Sequence, residues 1–251
     1  MNEVLTERQQ RTLLLRLNRP EKHNALTQAM YLSLARALVQ AQQDPDICAI
    51  VITGSETCFT AGNDLEDFLQ SPPDRLDAPA FQFMSAVMGL SKPLIAAVCG
   101  PAIGIGTTLL PHCDLVYISH DARLSVPFVK LGLTPEFGSS VLLPRILGEQ
   151  LAAQLLLCGR TFDGTEAVQW RLASVAFEQP AACLQAALAQ AEQLAAVSQP
   201  ALRASKRLLR EAIPGLHEAF VNECEQFIER VNSADARAAL QALVDHRTSK
   251  R

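Results

Sequence analysis

Apolar residues in the first half of the chain fall into short unbroken runs separated by stretches with helical spacing. RTLLLRL (11–17) reads as a strand, and so do AIVITG (49–54), PLIAAVCG (93–100) and DLVYIS (114–119). After the polar loop RPEKHNAL (19–26), Thr27 is placed to cap a helix whose apolar positions Met30, Leu32, Leu34, Ala35 and Leu38 recur every three or four residues. Strands that alternate with helices predict an α/β fold built from βαβ units with right-handed crossovers. QSPPDRLDAPA (70–80) has no periodicity and several Pro and Asp residues, so it reads as a mobile loop. From about Pro180 onward only helices are predicted: 181–197, 201–212, and a final pair around 220–231 and 234–244. Their apolar arcs are wide, and an arc of that width needs a cover. The expected organisation is a core over residues 1–180 and a helical region over 181–251 that covers the site and packs on a neighbouring subunit.

Composition narrows the function classes. Of 251 residues, 49% are apolar and 19% charged, which excludes a disordered chain. A net charge of −4 with no basic run before the last few residues argues against a nucleic-acid partner. The seven cysteines are scattered and mostly sit in apolar runs without metal spacing, so they read as reduced core thiols. The start MNEVLTERQQ is polar and does not look like a signal peptide. No apolar run reaches membrane-spanning length, and the final SKR is not the peroxisomal SKL. The expectation is a cytoplasmic protein without a membrane partner.

The candidate chemistry lies in two glycine segments, FTAGNDL (59–65) and CGPAIGIG (99–106), each placed just after a buried strand. Glycine allows a sharp turn at a strand end and a close approach of ligand to backbone. Two such turns can aim two backbone N–H groups at one carbonyl oxygen, the geometry of an oxyanion hole. Neither segment has the G-x-G-x-x-G order of a dinucleotide site or the G-K-[ST] of a P-loop. Read alone, the first is also an ordinary strand-to-helix turn, with Gly62 at positive φ and Asp64 as helix cap. A carboxylate, Glu136, follows in GLTPEFGSS (132–140) and could serve as a base. After Pro135 it could equally occupy the first turn of a helix, where the dipole would lower its pKa while an apolar pocket would raise it. The five histidines show no spacing for a metal or a triad. His112 reads as structural, Asp114 as packing or capping at a strand start, and Lys206 and Arg207 as solvated surface.

RPEKHNAL, FTAGNDL, KPLIAAVCGPAIGIG (92–106), the segment 113–140 and LCGRTFDGTEAVQWRLA (157–173) fall in the order found in the crotonase (enoyl-CoA hydratase/isomerase) superfamily, which the chain resembles from about residue 10 to 250. The resemblance implies a spiral of ββα units, a C-terminal helical trimerisation region, acyl-CoA thioester substrates, no cofactor beyond the coenzyme A of the substrate, no metal, and homotrimers or dimers of trimers. It carries the two oxyanion donors onto the N–H groups of Asn63 and Ile105. It implies substrate contacts from Lys22, Asn24 and Ala25, from Ala61, Gly62, Asp64 and Leu65, and from Gly104, Thr108 and Phe128. Thr108 and Phe128 occupy the places of the two glutamates used by the family's hydratases, and neither side chain can do that proton transfer. GLTPEFGSS and the Asn after Gly62 resemble instead the peroxisomal-type Δ3,Δ2-enoyl-CoA isomerases, in which the corresponding glutamate is the sole base. The implied activity is isomerisation of 3-enoyl-CoA to 2-trans-enoyl-CoA. The alternatives are another crotonase reaction, such as hydration or thioester hydrolysis, and a non-catalytic acyl-CoA-binding subunit.

Overall fold

The runs AIVIT and LIAAV have every residue buried, as a strand covered on both faces requires. They form the centre of a six-stranded sheet in a computed structural model that describes residues 2–248. Along the chain the elements are β1 (Val4–Gln9), β2 (Thr12–Leu17), α1 (Gln28–Gln43), β3 (Ala49–Thr53), α2 (Leu65–Gln70), α3 (Pro79–Met88), β4 (Leu94–Val98), β5 (Pro101–Ile103), α4 (Ile105–Thr108), β6 (Leu115–Ser119), β7 (Arg123–Ser125), α5 (Ser139–Leu147), α6 (Glu149–Leu156), β8 (Phe162–Asp163), α7 (Gly164–Gln169), β9 (Val175–Phe177), α8 (Pro180–Ala196), α9 (Gln199–Glu211), α10 (Leu216–Val231) and α11 (Ala234–Thr248). The large sheet has the order β1-β2-β3-β4-β6-β9, parallel except for the antiparallel β1–β2 pair. A second sheet, β5-β7-β8, receives the chain each time it leaves β4 or β6. This repeated passage from one sheet to the other, followed by a helix, gives the ββα spiral.

Thr27 caps α1 as its position predicted: the side chain accepts a hydrogen bond from the N–H of Met30. The segment 71–78, expected as a loop, connects α2 to α3. Strand β1 was not legible because, apart from Val4, its residues are largely exposed, so the polar run carries no strand periodicity. Strands β5, β7, β8 and β9 are two or three residues long, too short for a period to register.

The apolar arcs of two C-terminal helices are covered within the chain. The apolar arc of α8 does not await another subunit: Cys183, Ala187 and Ala191 are completely buried against Leu14, Val51, Ile95 and Ala97 on one face of the chain's own sheet. Helix α10 likewise inserts Phe220, Phe227 and Val231 into the main core, where Phe227 meets Phe68, Phe81 and Phe128 edge-on. Leu208 and Leu209 of α9 remain 64% and 73% exposed. Among the described residues no helix is long and apolar enough to cross a membrane.

Candidate active site

The two glycine turns are sewn to each other and to the RPEKHNAL loop by main-chain hydrogen bonds. On one side, the N–H of Leu26 donates to Gly62 O at 2.8 Å and the N–H of Asp64 to Leu26 O at 2.9 Å. On the other, the N–H of Thr60 donates to Pro101 O and the N–H of Ile103 to Thr60 O, both at 3.0 Å. Gly62 has φ +86°, and a Cβ there would lie 3.0 Å from the carbonyl oxygen of Ile103, so both backbone conformation and space call for glycine. Gly104, at φ +57°, ends β5 and caps α4. Asn63 and Ile105 follow these glycines directly. Among the described residues, neither of their backbone N–H groups has an acceptor. Both residues line one cavity of about 730 Å³.

That cavity is mainly apolar. Leu65 and Phe68 of α2, Ile103, Phe128, Leu131 and Leu133 form one part, and Leu240 and Leu243 of α11 close over another. Ala61, Gly62, Leu65, Gly104 and Phe128, all expected at the substrate, are among its lining. Asn24 and Asp64 are not, and their side chains are committed within the fold. Asn24 is completely buried; its amide donates to Cys58 O and Phe59 O and accepts from the N–H of Arg19. Asp64 caps α2 through Glu66 N and Asp67 N and pairs with Arg19 at 2.6 Å. Ala25 is buried with its carbonyl on Arg19, and Lys22 lies near Glu66 at 3.5 Å, both outside the cavity lining.

Glu136 is 2% exposed and is not among the residues that line the cavity. The hydroxyl of Thr108, one turn of α4 beyond Ile105, donates to Glu136 Oε1 at 3.4 Å. The helix that was to place Glu136 in its first turn begins later, at Ser139, after the Gly138 cap. Burial therefore decides the electrostatics. Desolvation raises the Glu136 pKa first, the charge of Glu223 adds to it, and the Thr108 bond opposes both, leaving it pushed up to about 8.

Two buried polar residues of this region escaped the sequence reading. Tyr31 of α1 donates its hydroxyl to Asn63 Oδ1 at 2.5 Å. Glu223 of α10 accepts from the N–H groups of Gly138 and Ser140. A signal for Glu223 exists: it sits three residues after Phe220 and four before Phe227, on the apolar face of its helix.

His112, Asp114 and Lys206 have structural partners. His112 stacks on Phe137 with ring centroids 4.0 Å apart and hydrogen-bonds Phe137 O, and desolvation lowers its pKa to about 3. Asp114 accepts from Leu94 N at the start of β4. Lys206 is not solvated, contrary to expectation: it is 6% exposed and bonds Asp114 at 2.6 Å and Lys92 O at 2.7 Å. Arg207 is exposed near Glu211.

The profile of the enoyl-CoA hydratase/isomerase family matches residues 7–250. The chain belongs to this family. It is 34% identical to 2,3-dehydroadipyl-CoA hydratase of Escherichia coli K12 over 250 residues, covering 99% of this chain and 98% of that one. It is 35% identical to human enoyl-CoA delta isomerase 2 over 216 residues, which are 82% of this chain and 54% of the human protein. Among solved structures, Pseudomonas aeruginosa OdaA superposes with a TM-score of 0.94 at 47% identity, over 97% of this chain and 99% of that chain. The crotonase-like fold expected from the motifs is thereby established, and the protein is an enzyme of the hydratase/isomerase family. Hydratases and an isomerase both occur among these relatives, so membership fixes the class of reaction and leaves the choice within it to the site.

Proposed function

We propose that the protein is an isomerase that shifts the double bond of a 3-enoyl-CoA to give 2-trans-enoyl-CoA. The observation that carries this reading is the buried carboxyl of Glu136, hydrogen-bonded by Thr108, with Thr108 and Phe128 standing at the two places where a hydratase of the family would hold its acids. Addition of water needs one group to activate the water and another to protonate carbon. Isomerisation needs one base that returns the proton it takes. In the proposed reaction Glu136 removes a proton from C2, and the C2–H bonding pair flows toward the thioester. Charge gathers on the thioester oxygen, which the N–H groups of Asn63 and Ile105 meet. The C3–C4 double bond moves to C2–C3 as C4 takes the proton back from Glu136. Each donor of such a hole is worth about 10²- to 10³-fold in rate.

Coenzyme A enters as part of the substrate, and this reaction calls on no metal or redox group. Lys22, at the surface of the RPEKHNAL loop, is the cation proposed to meet a coenzyme A phosphate. A homotrimer or dimer of trimers is the proposed assembly. The exposed Leu208 and Leu209 support contact with another copy, and sedimentation at three or six times 27.3 kDa is expected.

The near full-length match to an E. coli hydratase favours a second reading, hydration with Glu136 placing the water. One assay separates the two. With 3-hexenoyl-CoA and 2-hexenoyl-CoA as substrates, conjugation should be fast and hydration very slow. Glu136→Gln should lower conjugation by about 10²- to 10⁴-fold while coenzyme A binding persists. Efficient hydration by the purified protein, or near wild-type turnover by the Gln variant, would overturn the isomerase reading.

A further inference from the structure

The turn that carries Glu136 is held from the far end of the chain by one side chain. Gly138, the cap residue of α5, has φ +67° and no side chain to satisfy the first N–H groups of that helix. Glu223 of α10 supplies the acceptors instead, with Oε2 accepting from Gly138 N at 2.5 Å and Oε1 from Ser140 N at 2.9 Å. Between these two donors, Ser139 reaches back, its hydroxyl and N–H both donating to Glu136 O at 2.6 and 3.2 Å. Phe137 is left with φ +63°, a conformation unfavourable for a side chain with a Cβ, which persists only where its surroundings hold it. Its carbonyl is held by His112. The five residues 136–140 therefore have a bound carbonyl at the base itself and a two-pronged clamp two and four residues further on.

The charge of Glu223 also faces the base. The other titratable groups around Glu136 are Tyr31 on α1, Cys224 on α10, and His112 before β6. Burial drives all three toward their neutral forms, raising the first two and lowering the third. Thr108 on α4 is a neutral donor. Burial raises the pKa of Glu223 itself above 4.5, and the hydrogen bonds it accepts from the 138–140 turn oppose that rise without cancelling it.

We propose that Glu223 is a positioning residue for the reaction, a carboxylate of the C-terminal helix that fixes the 136–140 turn and faces Glu136 with a negative charge. This rests on Glu136 being the base. It assigns the C-terminal helices a role in the chemistry that is separate from covering the acyl pocket.

The test compares Glu223→Gln and Glu223→Asp with wild type in steady-state isomerisation across pH, with circular dichroism to check folding. Gln keeps the shape but sets its NH₂ against one of the two N–H donors and removes the charge. Its kcat should fall by about 10- to 100-fold with KM changed less than about threefold, and the acid limb of its pH–rate profile should move to lower pH. Asp keeps the charge but is one methylene too short to span both donors, so its kcat should fall while the acid limb stays in place. A folded Gln variant with wild-type kcat, or with the acid limb unmoved, overturns the proposal. Should Gln fail to fold, an Asp variant with undiminished kcat, or with the acid limb displaced to lower pH, does so. Glu136→Gln serves as the separate control: if it stays active, the isomerase reading fails first, and the behaviour of Glu223 no longer bears on the base.

Discussion

The hydroxyl of Tyr31 lies 2.5 Å from the side-chain oxygen of Asn63, so a buried residue of the first long helix holds the residue that presents one of the two proposed oxyanion donors. Tyr31 is 2% exposed and packs against Phe83. Burial, with the nearby Glu136 charge in second place, raises its pKa well above that of a free tyrosine, so it stays a hydrogen-bond donor at any pH the enzyme meets. The bond fixes the amide of Asn63, and with it the turn whose backbone N–H faces the cavity.

Tyr31→Phe removes that donor and keeps the ring. The half-buried Asn63 then loses this side-chain partner, at a cost of about 1 kcal/mol in stability. A comparable loss of donor placement in the transition state lowers kcat by about tenfold with little change in KM. Steady-state kinetics and a urea melt measure the two effects separately. An unchanged kcat would mean that the main-chain bonds to Leu26 are enough to hold the turn.

The raised pKa of Glu136 sets the pH dependence. A base must be ionised to accept a proton, and Glu136 titrates at about 8 rather than at its ordinary 4.5. Below that value the ionised fraction falls tenfold per pH unit, so kcat/KM for the 3-enoyl-CoA should rise with slope one through neutral pH and level off above about 8. A plateau reaching down to pH 5 would show that the free enzyme holds Glu136 as an ordinary carboxylate.

The same burial makes Glu136 a liability for the fold. Its folded pKa lies above the unfolded value, so between 4.5 and about 8 the folded state binds more protons than the unfolded state. Stability therefore falls as pH rises through that window, by a total on the order of 2–4 kcal/mol. Gln cannot ionise, so Glu136→Gln should match wild type near pH 4.5 and exceed it increasingly toward pH 8. Thermal melts at both ends of the window check this. A variant less stable than wild type at the upper end would contradict it.

What could be read from the sequence followed the range of the interactions involved. Gly62 and Gly104 were legible because a glycine after a buried strand has a local cause, and both adopt positive φ. Thr27, Asp64 and Asp114 were legible as caps or strand-start residues for the same reason. Lys206 was not, because in an amphipathic helix a lysine looks solvated until its partner is known, and Asp114 lies 92 residues away. Glu223 acts on Ser140 across 83 residues, and Tyr31 on Asn63 across 32. The apolar arcs of α8 and α10 announced that something would cover them. That the cover is the chain's own sheet and aromatic core depends on tertiary packing, which a helical period does not encode.

Asp64 offers a last test, because it joins the first turn to the rest of the fold without touching the cavity. Its Oδ1 accepts from Glu66 N and Asp67 N at 3.1 Å each, and its Oδ2 pairs with Arg19, which in turn holds Ala25 O and Glu3. Burial alone would raise its pKa, but the bonds from Arg19 and the helix N–H groups outweigh it, and the pKa is lowered from 3.8. A carboxylate with a depressed folded pKa adds stability above the unfolded value and loses it as pH falls through the folded one. Asp64→Ala leaves the half-buried Arg19 charge without this partner and α2 without its cap, a loss of about 3–5 kcal/mol near neutral pH. Asp64→Asn keeps the cap and loses only the charge, so it should cost less, and its deficit should shrink as the pH drops below about 4. Because Asp64 N also closes the turn on Leu26 O, the Asn variant should keep its KM and lose only part of kcat. Denaturant melts of both variants at neutral and acid pH give the comparison. Equal deficits for Ala and Asn at every pH would show that neither the cap nor the ion pair with Arg19 carries the energy assigned to it.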